Sequence, residues 1–156
     1  MAEPTRDHLL RVDLTAGTVE SEAVPASWLR AYVGGKGLGA RYLYEELAPG
    51  VDPLGPENAL LFMLGPLTGY LPGESRYAAI TKSPLTGGFL DSYSGGQFPA
   101  TLAGALPGHL GVLVVGAADE PVALVIEDGD ARLEPTDRWG ADTVETCEAY
   151  PDAAVA

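Results

Sequence analysis

Residues that bind metals or form disulfides are scarce in this chain of 156 residues, which has one cysteine and two histidines. A structural zinc site takes four Cys or His ligands and an iron–sulfur cluster takes four thiolates, so the chain supplies neither set. Cys147 has no second thiol in the sequence with which to pair. His8 lies in a predicted terminal strand and His109 in a Pro-Gly-His-Leu turn, and neither setting favours catalysis. We therefore predict no catalytic residue in the chain.

Long apolar segments are missing too. The longest apolar run, Ala59–Leu64, is far shorter than the roughly 20 residues that a membrane helix requires. Residues 1–8 contain no apolar stretch before the first charged side chains, so they do not resemble a signal peptide. We expect a cytoplasmic protein that does not bind membranes.

Positive charge is scarce as well, because nine Lys and Arg residues stand against 22 Asp and Glu residues, for a net charge of −13. Phosphate backbones are bound by clustered Lys and Arg, so no nucleic acid partner is expected. Only two of the nine basic residues are Lys, and such an acidic, lysine-poor composition is typical of proteins that work in concentrated salt. An acidic protein from ordinary salt is the alternative.

The negative charge is unevenly distributed. The net charge is −4 over residues 1–100 and −9 over residues 101–156. Residues 62–90 are the exception, with Glu74 as their one acid against Arg76 and Lys82. An anion would be repelled least by this part of the chain.

Glycine and proline are abundant, with 20 and 13 residues, and predict short elements joined by tight turns. The 46% of hydrophobic residues are enough for a single domain with its own core. Apolar alternation and turn signals such as Asp128-Gly129 predict an α+β fold, with strands paired in hairpins more than in βαβ units. The predicted strands are residues 8–14, 19–24, 59–64, 77–81, 88–92, 110–115, 122–127 and 131–133, and the predicted helices are residues 25–32, 38–47, 96–105 and 142–149.

The glycine-rich residues 34–40 match the dinucleotide-binding pattern G-x-G-x-x-A from Gly35 onward. That pattern requires a strand directly before it and an acidic residue at the end of a following strand. Here a helix is predicted before Gly34, and no such acid is in place. We therefore favour a structural role, in which the glycines allow two helices to turn sharply and pack closely.

The better candidate for a site lies between Gly73 and Gly96. Arg76 stands just before a predicted strand, and Ser92-Tyr-Ser-Gly-Gly96 is expected to present consecutive N–H groups at the start of a helix. Oriented amides of this kind bind anions, and a guanidinium adds a planar fork that fits phosphate. The pattern indicates binding of a large anionic cofactor or ligand rather than proton transfer.

Seven short motifs, spaced along the chain in a fixed order, carry a family resemblance. The sequence resembles the N-terminal domain of the tungsten-containing aldehyde:ferredoxin oxidoreductase family from about residue 8 onward. The motifs are RVDLTAG at residues 11–17, VGGKGLGA at 33–40, DPLGPEN at 52–58, GPLTG at 65–69, RY at 76–77, TKSPLTG at 81–87 and SGG at 94–96.

The resemblance implies a base of two β-sheets on which a tungsten or molybdenum bis-pyranopterin cofactor lies. It implies that Arg76 contacts the pterin and that Tyr93, Ser94, Gly95 and Gly96 contact the pterin phosphates. The backbone carbonyl of Tyr93 is then expected to help hold a magnesium ion between the two phosphates. Family members commonly have Asn where this chain has Tyr93.

The resemblance also implies an activity for the whole enzyme, which is oxidation of an aldehyde to a carboxylic acid with ferredoxin as electron acceptor. In the family, the cysteines for the [4Fe–4S] cluster and the catalytic residues lie in later domains. Residues 1–156 are thus expected to form a pterin-binding domain that is incomplete at its C-terminal end and inactive alone. The alternative is a structural or interaction module, or a truncated paralogue, without cofactor. Homo-oligomers through an exposed sheet edge are left open.

Overall fold

The computed structural model describes residues 6–71, 73 and 75–156 of the chain. None of the helices in that part of the chain is long and apolar enough to cross a membrane. The elements, in chain order, are β1 (His8–Asp13), β2 (Thr18–Ala23), α1 (Ala26–Tyr32), α2 (Gly35–Glu46), β3 (Ala59–Leu64), β4 (Tyr77–Lys82), β5 (Phe89–Ser94), α3 (Phe98–Ala105), β6 (His109–Val115), β7 (Val122–Glu127), β8 (Asp130–Pro135) and α4 (Thr143–Ala149).

The strands form two sheets, which confirms the predicted α+β class. The larger sheet has the order β2-β1-β6-β3-β4-β5, and β7 pairs with β8 in a separate hairpin. Strands β1 and β6 are parallel, whereas the other neighbours in the large sheet are antiparallel. The chain therefore builds its sheets mainly from hairpins, as the turn signals predict.

One face of the large sheet is covered by α1 and α2. Leu61 and Ile80 point from the sheet into this core and are fully buried there, with Leu38 of α2 packed against them. A Cβ at Gly39 would overlap the Ile80 side chain, so only glycine lets α2 approach so closely. Because α1 precedes Gly34, the structural interpretation of the glycine-rich segment is confirmed and its dinucleotide-binding interpretation loses its required strand.

The other face is covered by α3 and by the β7–β8 hairpin. Val12, Leu64 and Leu106 have at most 1% of their surface exposed in this second core. Each fully buried side chain of this size contributes about 1.5–3 kcal/mol to the free energy of unfolding. The large sheet is thereby fixed from both sides, which makes it a rigid support for residues at the ends of its strands.

Two boundaries differ from prediction where they bear on function. Strand β5 continues to Ser94 because Ser94 pairs with Tyr77, the first residue of β4. Helix α3 begins at Phe98 rather than at Gly96, because Gly96 has a φ of +83°, outside the helical region, and Pro99 occupies the first helical turn. The expectation that residues 92–96 open a helix is therefore wrong, since they end a strand and begin a loop.

Candidate functional site

The hairpin of β4 and β5 brings two of the predicted site residues together. Its last pair is Tyr77 with Ser94, so Arg76 and Gly95 lie opposite each other one residue beyond the ladder. A Cβ at Gly95 would collide with Nη1 of Arg76 and lie 3.1 Å from the Ser75 carbonyl oxygen. The absence of a side chain at Gly95 thus provides the space in which the guanidinium lies.

The guanidinium of Arg76 has donors to spare. Its side chain is exposed, and Nη1 donates one long hydrogen bond of 3.4 Å to the carbonyl oxygen of Ser75. In the part of the chain that the structure describes, no carboxylate pairs with it, although the chain has 22 acidic residues. A guanidinium carries five N–H donors, so Arg76 can bind an external anion without losing an ion pair to any residue that the structure describes.

The loop that follows β5 is fixed against the residue before Arg76. The hydroxyl of Ser75 donates to the carbonyl oxygen of Gly96 over 2.7 Å. Helix α3 begins just beyond, and its N-cap residue, Gln97, makes no side-chain capping bond. The Gln97 side chain therefore accepts no hydrogen bond from the first turn of α3, where partial positive charge favours anions. We call Ser75, Arg76, Gly95 and Gly96 the Arg76 site.

Tyr93 and Ser94 lie in strand β5 and not in the loop. Because side chains alternate along a strand, the two point to opposite faces of the sheet. The Tyr93 side chain lies beside Asp91, whose Oδ2 accepts a 3.0 Å hydrogen bond from Nζ of Lys36. That bond lowers the pKa of the Asp91 carboxyl, while desolvation and then Asp91 raise the pKa of the Tyr93 phenol. The Tyr93 phenol therefore belongs to a surface cluster with Asp91. The backbone of Tyr93, and not its side chain, borders the loop.

Sequence reasoning missed a buried threonine behind the Arg76 site. Thr68 has 3% of its surface exposed, and its Oγ1 accepts from the Gly65 N–H at 3.1 Å and donates to the Arg76 carbonyl oxygen at 3.2 Å. Nη1 of Arg6 in turn donates to the Thr68 carbonyl oxygen at 2.6 Å. The motif at residues 65–69 identifies a turn, but its letters alone do not say which residue outside the turn Thr68 contacts.

Lys82, the second base of residues 62–90, does not join the Arg76 site. It ends β4 whereas Arg76 precedes it, so the two are roughly 20 Å apart along the strand. Its Nζ donates to the carbonyl oxygen of Val51 and borders a groove of about 560 Å³, with Tyr44 and Phe89 among its lining residues. The predicted anion-accepting stretch is therefore divided between two distant places, and the Lys82 ammonium is already hydrogen-bonded to a backbone carbonyl.

The family model of the aldehyde ferredoxin oxidoreductase N-terminal domain matches residues 9–154. The chain belongs to this family. A tungsten-containing aldehyde ferredoxin oxidoreductase of Pyrococcus abyssi is 41% identical over 92% of the chain. A protein of Pyrococcus furiosus called the WOR-like subunit of an aliphatic sulfonate oxidoreductase is 37% identical over 88% of it. The chain spans about a quarter of the length of these relatives, 24% and 22%.

A solved structure supports the same membership. The BamBC active-site complex of benzoyl coenzyme A reductase, with 1,5-dienoyl-CoA, superposes on 96% of the chain with a TM-score of 0.88 and 31% sequence identity. The match covers 23% of that chain. The fold of this aldehyde ferredoxin oxidoreductase N-terminal domain is therefore also present in part of a much longer chain of that complex.

The Arg76 site fits the phosphate-bearing cofactor expected for a domain of this family. The Arg76 guanidinium and the backbone N–H groups of the glycine loop are donors for phosphate oxygens, and nothing lies within 4 Å of the Cβ position at Gly96. The structure describes no group of three or more His, Cys, Asp or Glu side chains that could hold a metal ion.

The two histidines lie together but outside the Arg76 site, on the parallel strands β1 and β6. The rings of His8 and His109 are 5.9 Å apart, and Nε2 of His109 is 2.9 Å from Oγ of Ser21. Desolvation lowers the pKa of the His109 imidazole, which keeps it neutral at pH 7. Strand β3 separates β6 from β4, so neither imidazole lies on the strand that leads to Arg76.

Proposed function

We propose that the chain is the cofactor-binding portion of an oxidoreductase that oxidises aldehydes to carboxylic acids, with ferredoxin as electron acceptor. In this proposal it holds a tungsten or molybdenum bis-pyranopterin. The observation that carries the proposal is the Arg76 guanidinium lying over Gly95, exposed and beside a glycine loop. The aldehyde and tungsten assignments are supported by the names of the relatives at 41% and 40% identity.

Each residue of the site has a distinct role in the proposal. Arg76 donates charge-assisted hydrogen bonds to the pterin, and Ser94, Gly95 and Gly96 contact the pterin phosphates, with open space at the position that a Cβ would occupy on Gly96. The backbone carbonyl of Tyr93 would contribute an oxygen ligand to a magnesium ion, which prefers oxygen ligands. The Tyr93 side chain takes no part, since it lies beside Asp91.

The bound metal would supply the two-electron redox chemistry, and the residues of this chain would hold and orient the pterin. The single thiol of Cys147 cannot ligate a [4Fe–4S] cluster, so we assign that cluster and the catalytic residues to further parts of the enzyme. It follows that residues 1–156 form an incomplete pterin-binding domain that is inactive alone.

The proposed substrate is inferred from sequence identity to named relatives and not from a substrate pocket. Relatives with this domain carry names for different substrates, among them aliphatic sulfonates and glyceraldehyde-3-phosphate, at 37% and 34% identity. The aldehyde oxidoreductases reach 41% identity over more of the chain. A shared cofactor domain with varied substrates implies that the choice of substrate is made by residues elsewhere in the enzyme.

The test is to produce the protein from its native gene anaerobically, with tungstate and molybdate supplied, and to measure metal and pterin per polypeptide. Arg76→Ala should lower the metal content about tenfold or more, because charge-assisted hydrogen bonds to the cofactor are lost. Arg30→Ala, which removes an exposed arginine on α1, is the matched control and should leave the content unchanged. Equal metal in Arg76→Ala and its parent would contradict the role of Arg76. A parent without metal would instead favour the cofactor-free structural or interaction module.

A further inference from the structure

The backbone of Arg76 is held by a side chain where the sheet itself ends. Strands β3 and β4 pair as far as Leu64 and Tyr77. At the next step, the Gly65 N–H donates to Oγ1 of Thr68, and this hydroxyl donates to the carbonyl oxygen of Arg76. The Thr68 hydroxyl thus continues the ladder by one residue and attaches Arg76 to the rigid end of β3.

The turn that carries Thr68 is itself fixed. Arg6 donates from Nη1 to the carbonyl oxygens of Thr68, at 2.6 Å, and of Gly65, at 3.4 Å. Its guanidinium also stacks on the Tyr70 ring, with Cζ 4.6 Å from the ring centroid. Because the Thr68 side chain is buried, water has little access to replace its hydroxyl. The hydroxyl is therefore in a position to set where the Arg76 backbone lies.

The opposite flank is tied in the same way. Ser75 donates from Oγ to the Gly96 carbonyl oxygen, so residues 75 and 76 are connected to the glycine loop on one side and to the turn of residues 65–69 on the other. The Arg76 guanidinium lies at the end of a long side chain, so a fixed backbone helps to keep it in one place. Fewer conformations then have to be given up on binding, which lowers the entropy cost.

We propose that Thr68 is a positioning residue for the cofactor, acting through Arg76. Its buried hydroxyl holds the Arg76 backbone so that the guanidinium stays over Gly95 and ready for an anionic group. The proposal rests on the proposed function, in which Arg76 contacts the pterin. The proposal adds Thr68 to the residues that affect cofactor binding. Thr68 is too deeply buried to reach the cofactor itself.

A second turn of the chain offers a matched control. Residues 83–87 repeat the letters P-L-T-G, but Thr86 is exposed and its Oγ1 accepts from the Gly88 N–H at 3.3 Å. Thr68→Val removes the bridging hydroxyl at nearly constant volume, Thr68→Ser keeps it, and Thr86→Val removes the corresponding hydroxyl of the second turn.

The experiment measures tungsten, molybdenum and pterin per folded polypeptide in the native gene product and its variants. Thr68→Val should lower the metal content by about fivefold to tenfold, the loss expected from one broken hydrogen-bond bridge. Thr68→Ser should restore the content to about the parent's level, and Thr86→Val should not change it. In an Arg76→Ala background, Thr68→Val should cause no additional loss, because coupled residues are not additive.

Each other outcome has a definite meaning. Normal metal in Thr68→Val, with low metal in Arg76→Ala, would overturn the positioning role and leave the proposed function standing. Normal metal in Arg76→Ala would contradict the role of Arg76 in the proposed function and, with it, the positioning role of Thr68. A full additional loss in the double variant would show that Thr68 acts independently of Arg76 and would overturn the proposal. Should Thr68→Val not fold, Thr68→Ala replaces it, and failure of both to fold would assign the hydroxyl to stability alone and overturn the proposal.

Discussion

The two turns at opposite ends of β4 share the sequence P-L-T-G, but their threonines differ in burial and in contacts. In residues 65–69 Thr68 is buried and bridges to Arg76, whereas in residues 83–87 Thr86 is exposed. The buried hydroxyl of the second turn belongs to Ser83, whose Oγ accepts from the Thr86 N–H at 3.2 Å. The two turns differ in their first residue, Gly65 against Ser83, and in their contacts outside the turn, and both differences bear on which hydroxyl is buried.

The basic residues at the two ends of β4, Arg76 and Lys82, also differ in their contacts. Arg76 lies over a glycine, and no carboxylate among the described residues pairs with it. Lys82 donates a hydrogen bond from Nζ to the carbonyl oxygen of Val51 and lies at an apolar groove. One end of the strand is thus suited to bind phosphate, and the other uses its base to hold a loop.

The largest expected effect on stability separates the two threonines. Thr68→Val should lower the free energy of unfolding by about 1–3 kcal/mol, because the Gly65 N–H and the Arg76 carbonyl each lose a partner in a partly buried place. Thr86→Val should change it by less than about 0.5 kcal/mol, since this hydroxyl is exposed. Urea denaturation of both variants at one salt concentration measures the difference. Equal losses would mean that the two turns are equivalent after all.

A smaller difference is expected between the glycines that close the turns. Gly69 and Gly87 both have positive φ, +82° and +70°, so alanine should cost about 1–2 kcal/mol at either position. A Cβ at Gly69 would also lie 3.2 Å from the Ala103 Cβ, whereas nothing lies within 4 Å at Gly87. Gly69→Ala should therefore be more destabilising than Gly87→Ala, by up to about 1 kcal/mol. Thermal unfolding followed by circular dichroism ranks the pair, and the reverse order would refute the close contact.

The smallest expected effect concerns the exposed ion pair of Lys36 and Asp91, which lies between the two ends. The pKa of Asp91 is lowered, so its contribution to stability is present above the ordinary Asp pKa and lost as pH falls through the lowered value. The pKa of Lys36 is raised, so its contribution is lost only in strong base. Asp91→Asn should lower the unfolding midpoint slightly near pH 7 and match the parent in acid.

Salt provides the control for this ion pair. Both groups are exposed to solvent, so 1 M salt should remove the difference between Asp91→Asn and its parent at pH 7. The metal content of Asp91→Asn should equal the parent's, since the Tyr93 side chain takes no part in the proposed site. A stability difference that grows toward acid would contradict the assigned charge states, and a loss of metal would make the cluster part of the Arg76 site.

Much of the fold follows from the sequence because its signals are local. The apolar runs of β3 and β6 and the Asp128-Gly129 turn, where φ is +51° and +89°, are specified by neighbouring residues. The order of strands in the large sheet and the parallel pairing of β1 with β6 depend on contacts about 100 residues apart in the chain. Local patterns contain no information on such pairings.

The sequence predicts only part of the candidate site, because the site also depends on contacts between residues that are distant in the chain. Arg76 and the glycines were found from residue type and from motifs, but their contact depends on the register of β4 and β5. The end of β5 was placed too early because Tyr93 and Ser94 gain their strand structure from pairing with Ala78 and Tyr77. Thr68 was missed because its function depends on burial, and burial at residue 68 depends on distant residues such as Arg6.

The most direct test of the central claim is a crystal structure of the native gene product grown with tungstate, with the metal located by anomalous scattering. The account predicts pterin density within hydrogen-bonding distance, about 3 Å, of the Arg76 guanidinium, with its phosphates at the N–H groups of Gly95 and Gly96. Cofactor density on another face of the domain, with Arg76 in contact with solvent alone, would contradict it.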